Sequence, residues 1–145
     1  METKDTLPDT PSDLILAALE DFMGLLTEPD YVIDLEIWHQ PAVNVFNPDE
    51  EICKVCLAGA IMAKRLGVKK HEHSSPQRFP IETSHKLCAL DYFHRGEVTK
   101  GLLSMGNSGK APYERYPIPE YDPENPHLFV EAMHQLAHEL KACGL

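Results

Sequence analysis

No apolar stretch in this 145-residue chain approaches the ~18 residues that a membrane span needs. Met1 is followed by Glu2, Lys4 and Asp5 rather than by the apolar core of a secretion signal, so a cytosolic (cytoplasmic) protein is expected. In that compartment Cys53, Cys56, Cys88 and Cys143 are expected to be reduced thiols, not a disulfide framework. Bases are scarce at both ends. Residues 1–51 hold 13 acids and one base, Lys4, and residues 116–145 hold five acids and one base, Lys141. Only residues 52–115 are basic, with 11 bases against five acids. A net charge of −10 argues against a phosphate-backbone binder, which needs a basic face to displace counterions, so direct binding to a nucleic-acid backbone is not expected. The uneven split has three readings: a solvated acidic surface, two regions that neutralise each other within the fold, or an acidic face that meets a basic partner.

Complete catalytic signatures are missing as well. A structural zinc site commonly takes two close ligand pairs, and Cys53-Lys54-Val55-Cys56 supplies one. Completing it would mean recruiting histidines such as His39, His71, His73 or His85. Ile52 to Ala63 is apolar nearly throughout, as in a helix surrounded by core, and Cys is among the most often buried residues. We therefore expect Cys53, Cys56, Ala60 and Ala63 to form one helical packing stripe. Redox chemistry is less favoured, because no strand is expected to lead into the pair. His134 and His138 lie four apart, as in zinc hydrolases, with Glu131 nearby, but Gln135 stands where the general-base Glu belongs. They read as decoration of a helix surface. Gly106-Asn107-Ser108-Gly109-Lys110 lacks the full phosphate-loop pattern and reads as a turn.

What is present specifies elements. With 43% hydrophobic residues the chain can bury a core as one domain, residues 1–145. Residues 1–9 are polar and expected to be disordered. Thr10-Pro11-Ser12-Asp13 starts a helix whose apolar positions run from Leu14 to Leu26. Alternation from Tyr31 to Trp38 predicts a strand, paired with Ala42–Phe46 across His39-Gln40-Pro41. Asn47 to Glu51 reads as the start of a second helix that runs to Leu66. A basic loop follows over 68–82, then helices over Thr83–Phe93 and Glu97–Met105. Residues 106–127 hold five prolines and three tyrosines, a long loop that is expected to lie on the core through its aromatic rings. A final helix spans Pro126 to Cys143. The expected fold is mainly α (α+β): four to five helices around a central buried helix, with one small β-hairpin.

Three segments, Tyr31–His39 ending in Trp38-His39, Cys53-Lys54-Val55-Cys56-Leu57-Ala58-Gly59-Ala60, and Leu87-Cys88-Ala89-Leu90-Asp91, resemble small phage and prophage proteins of uncharacterised function. The resemblance covers about half of the chain. It implies a small protein acting inside a bacterial host cell and carries over no catalytic residue. The acidic balance, the charge split, the long Pro/Tyr segment and the lack of a full active-site set lead us to expect a non-enzymatic accessory or regulatory protein that binds another macromolecule, expected to be a protein, and uses no cofactor. The alternative is a metal-binding protein or metal-dependent hydrolase, with zinc held by Cys53, Cys56 and histidines among His39, His134 and His138. If Trp38 and His39 lie against the cysteine segment, a pocket there is the place to seek function.

Overall fold

The computed structural model describes residues 7–44, 47–107 and 111–145. The fold is mainly helical, α+β, with five helices and one small sheet of three strands among the described residues. Helix α1 (Pro11–Leu26) begins as its sequence dictates: the Thr10 hydroxyl accepts the Asp13 amide and proline occupies the first turn. It buries Leu14, Ile15, Ala18, Leu19, Phe22 and Leu25. Leu7 is buried and its carbonyl accepts from Lys86, which also pairs with Asp9; residues 1–6, most of the segment expected to be disordered, lie outside the described part.

The sheet departs from expectation. Strand β1 is only Tyr31–Ile33, because Asp34 turns the chain: its side chain accepts the Glu36 amide and its carbonyl accepts the Ile37 amide. Strand β2 (His39–Asn44) starts inside the segment expected to be the turn, and β3 spans Asn47–Val55. The hairpin is therefore β2 with β3, antiparallel, while β1 joins the other edge of β3 in parallel. The expected helix start at Asn47–Glu51 is overturned: these residues open β3 and pair with β2, β1 joins further along at Cys53–Val55, and this pairing outweighs acids that would suit a helix dipole. Register places Tyr31, Ile33, His39, Pro41, Cys53 and Val55 on one face. That face turns inward: His39, Cys53 and Val55 are buried, whereas Val32 and Gln40 on the opposite face are exposed.

Helix α2 is consequently short, Leu57–Lys64 rather than Ile52–Leu66, yet it is central: Leu57 through Met62 are all buried. Its close packing on the Trp38 backbone, which leads into β2, and on Val55 at the end of β3 rests on Gly59, where a Cβ would collide with the Trp38 carbonyl oxygen and come within 2.9 Å of the Val55 Cβ. After a 3-10 turn at Pro76–Arg78 come α3 (Ile81–His94), α4 (Val98–Ser104) and α5 (Pro126–Ala142). The proline- and tyrosine-rich connection forms a strap. Tyr121 packs edge-on against Phe22 and Phe129, with centroids 5.6 and 5.9 Å away. The strap also rests on Gly96 (φ +79°), whose carbonyl accepts the Tyr116 amide and whose missing side chain leaves room for the Tyr116 carbonyl. Residues 108–110, part of the expected turn, lie outside the described residues. Among the described residues no helix is long and apolar enough to cross a membrane.

Candidate functional site

The two cysteines do not share a helical stripe. Cys53 lies within β3 and Cys56 caps α2, so a strand does lead into the pair, against expectation. Because three strand residues reverse side-chain direction at each step, the thiols have different surroundings. The Cys56 amide donates to the Trp38 carbonyl over 3.4 Å, and its Sγ is 3.8 Å from the same oxygen. Cys53 Sγ instead meets the His39 ring, 3.5 Å from Nδ1 and 3.7 Å from Nε2. Trp38 and His39 thus do lie against the cysteine segment.

His39 is held in one tautomer. Its Nδ1 is 2.8 Å from the Glu72 carbonyl oxygen, which can only accept, so Nδ1 carries the proton and Nε2 is bare. The Ser74 amide donates back to the His39 carbonyl over 3.0 Å, which pins the 72–74 segment to the outer edge of β2. Ser74 Oγ is buried with no hydrogen-bond partner among the described residues. A nucleophile, a base and a group that orients the base are therefore adjacent, the arrangement that covalent catalysis uses. The electrostatics oppose that use. Burial pushes the Cys53 thiol up to about 11 and the Cys56 thiol up to about 12. Burial likewise lowers His39, against a smaller raising effect of the Glu72 carbonyl. Both partners stay neutral at pH 7, so the thiol is not activated to thiolate.

The other histidines do not join this pair. His71, His73 and His85 are exposed. His134 and His138 sit on α5 with rings stacked 6.5 Å apart; His138 is exposed and His134 partly covered. Among the described residues no three His, Cys, Asp or Glu side chains converge in a way that would hold a metal ion.

Two surface clefts lie elsewhere, and neither is lined by Trp38 or His39. One, about 1060 Å³, runs between α3 and α4, where Lys86 is engaged by Asp9 and Lys100 by Glu97. The other, about 480 Å³, opens between the turn after β1 and the strap. Its apolar lining comes from the half-buried Ile33, Leu35, Ile118 and Tyr121, and its acids are Asp34, Glu36 and Glu120. His94 and Arg95 line it too, but both bond to Asp91 (3.1 and 3.3 Å). Burial works to raise Asp91, yet these two partners outweigh it and hold the carboxyl below its usual range.

Charge is largely paired across the acidic and basic regions. Lys64 meets Glu28, Arg65 meets Glu20 and Asp21, and Lys70 meets Asp30. The basic stretch 64–71 therefore faces the acidic first third of the chain, one of the readings its composition left open. Asp34, Glu36 and Glu120 have no cation partner among the described residues. Sequence reasoning missed this cleft because its two walls lie more than eighty positions apart. It also missed the clasp on the strap, where the hydroxyls of Tyr113 and Tyr116 both donate to Glu139. Only the density of tyrosines pointed that way.

Comparison with protein-family models, with curated proteins and with solved structures returned no match to this chain.

Proposed function

We propose that this chain is a non-enzymatic accessory or regulatory protein that works by binding another protein. The observation that carries the reading is the state of its chemically reactive groups: Cys53, Cys56 and His39 are buried, and burial holds all three neutral. The exposed features suit recognition instead, with an irregular strap of prolines and tyrosines beside carboxylates that have no partner cation among the described residues. The resemblance to small phage and prophage proteins supports a setting inside a bacterial cell. The test is affinity capture from bacterial lysate at low salt, with the immobilised full chain. Recovery of a defined protein at near-stoichiometric yield supports the role; its absence at every salt concentration counts against it.

A second reading, a metal-binding protein, is favoured by one observation: His39 converges on Cys53. Two donors are half of a tetrahedral zinc site. Elemental analysis of purified protein tests it. One equivalent of zinc, lost in Cys53→Ser, would establish this reading over the first.

A further inference from the structure

We infer that the 480 Å³ cleft between the turn after β1 and the strap seats an extended, lysine- or arginine-bearing segment of a partner protein. This deepens the binding role proposed above and rests on it. Three observations converge on that occupant. The first is size and lining: the volume suits two or three side chains, and Ile33, Leu35, Ile118 and Tyr121 give an apolar surface on which the methylene stem of a basic side chain can lie. The second is charge. Asp34, Glu36 and Glu120 surround that lining with no cation partner among the described residues, whereas the cations that share the cleft, His94 and Arg95, are drawn to Asp91. The cleft therefore carries net negative charge, where most of the other acids of the first third are already paired.

The third observation is the backbone. From Pro117 to Tyr121 the strap forms no helix, strand or turn, Pro117 and Pro119 disfavour helical backbone at the residues before them, and among the described residues none of its backbone groups bonds to another part of the chain. The strap is not loose for lack of these bonds, since Tyr116 is anchored at Gly96 on one side and Tyr121 packs between Phe22 and Phe129 on the other. Its open donors are the amides of the cleft-lining Ile118, Glu120 and Tyr121, since Pro117 and Pro119 carry no N–H. An extended peptide satisfies such groups through its own main chain, while its side chains read the pockets beside it. A free cation would use the carboxylates and leave the backbone and the apolar lining unused.

The test uses isotope-labelled full chain and two synthetic probes, acetyl-Leu-Lys-Leu-Lys-Leu-amide and its Leu-Glu counterpart, with spermidine as a free cation. The lysine peptide is expected to shift the amides of Asp34, Leu35, Glu36, Ile118, Glu120 and Tyr121. Reversing two charges, Glu36→Lys with Glu120→Lys, should weaken it about tenfold. Both positions are exposed, so this variant is expected to stay folded, and an unchanged helical circular dichroism spectrum verifies that. Equal shifts from the lysine and glutamate peptides overturn the proposal, as do shifts confined to other surfaces. Spermidine reproducing the peptide's shifts in full also overturns it, in favour of a simple cation site. Capture of one lysate protein equally by wild type and by the double variant overturns the cleft alone and leaves the binding role standing.

Discussion

Replacing Gly59 with alanine separates two ways of reading the same helix. On helix propensity alone, alanine should stabilise α2 by about 0.5–1 kcal/mol. The structure reverses the sign. A Cβ at position 59 would overlap the Trp38 carbonyl oxygen and sit 2.9 Å from the Val55 Cβ, so the Trp38 backbone just before β2 would have to move away from α2. Neither obstacle is the free end of a flexible side chain: one is backbone and the other the branch point of a buried residue. Overpacking of this kind costs about 1–3 kcal/mol. Moving Trp38 also strains the hydrogen bond its carbonyl accepts from the Cys56 amide, for about 1 kcal/mol more. After the propensity gain, Gly59→Ala should lose about 1–3 kcal/mol, which for a chain of this size lowers the melting temperature by about 4–12 °C. Urea titration followed by circular dichroism measures it. Gly24→Ala is the control: its Cβ meets only the flexible end of Lys64, at 3.4 Å, and the variant should gain about 0.5 kcal/mol. If Gly59→Ala proves as stable as wild type, the close contact between the Trp38 backbone and α2 is wrong.

Other expectations concern the buried pair, the thiols and the strap. His39→Ala should cost about 2–4 kcal/mol, because it empties buried volume and leaves the Glu72 carbonyl without its donor; denaturant titration reads the loss, and a change under 1 kcal/mol would contradict the assigned role. In a native thiol assay Cys143, which is exposed, should react first, and Cys53 and Cys56 only after denaturant is added; rapid labelling of either would show that β3 opens readily. Burial, together with the bond to Glu139, pushes the Tyr116 phenol up to about 12, so its stabilising effect is complete below pH 10 and disappears as pH rises through about 12. The hydrogen bonds from Tyr113, Tyr116 and Gln135 lower Glu139, so its contribution is present above its ordinary 4.5 and is lost as pH falls through the depressed value. In an ultraviolet titration Glu139→Gln should move the Tyr116 transition part of the way back toward 10, and no movement would exclude the clasp.

The helices were legible because each signal is local. Thr10-Pro11, the stripe from Leu14 to Leu25 and the stripe from Phe129 to Leu140 lie within single elements, and each element buries what its periodicity says it should. The segment 47–56 was misread for the converse reason. Its acids suit a helix start and its small apolar residues suit a buried helix, yet β1 and β2 both lie within reach and pair with it on either side. No local preference of about 1 kcal/mol competes with two ladders of hydrogen bonds and a buried face.

The strand also sets the surroundings of the two cysteines. On a helix, positions three apart share a face, so Cys53 and Cys56 would have shared one environment; in a strand they diverge, one toward His39 and the other toward the Trp38 carbonyl. The pair spacing therefore says nothing about a shared ligand. What brings His39 to Cys53 is sheet register, with His39 opposite Val55 and Cys53 opposite Pro41, a diagonal relation that needs the strand order before it can be seen. The same holds for the acid-rimmed cleft, whose two walls meet only because Tyr121 packs onto Phe22 and the Asp34 turn ends β1 beside it. Recognition surfaces built from turns and straps depend on tertiary placement, and that is why the most chemically suggestive run in this chain became core while its least regular segments became the candidate binding surface.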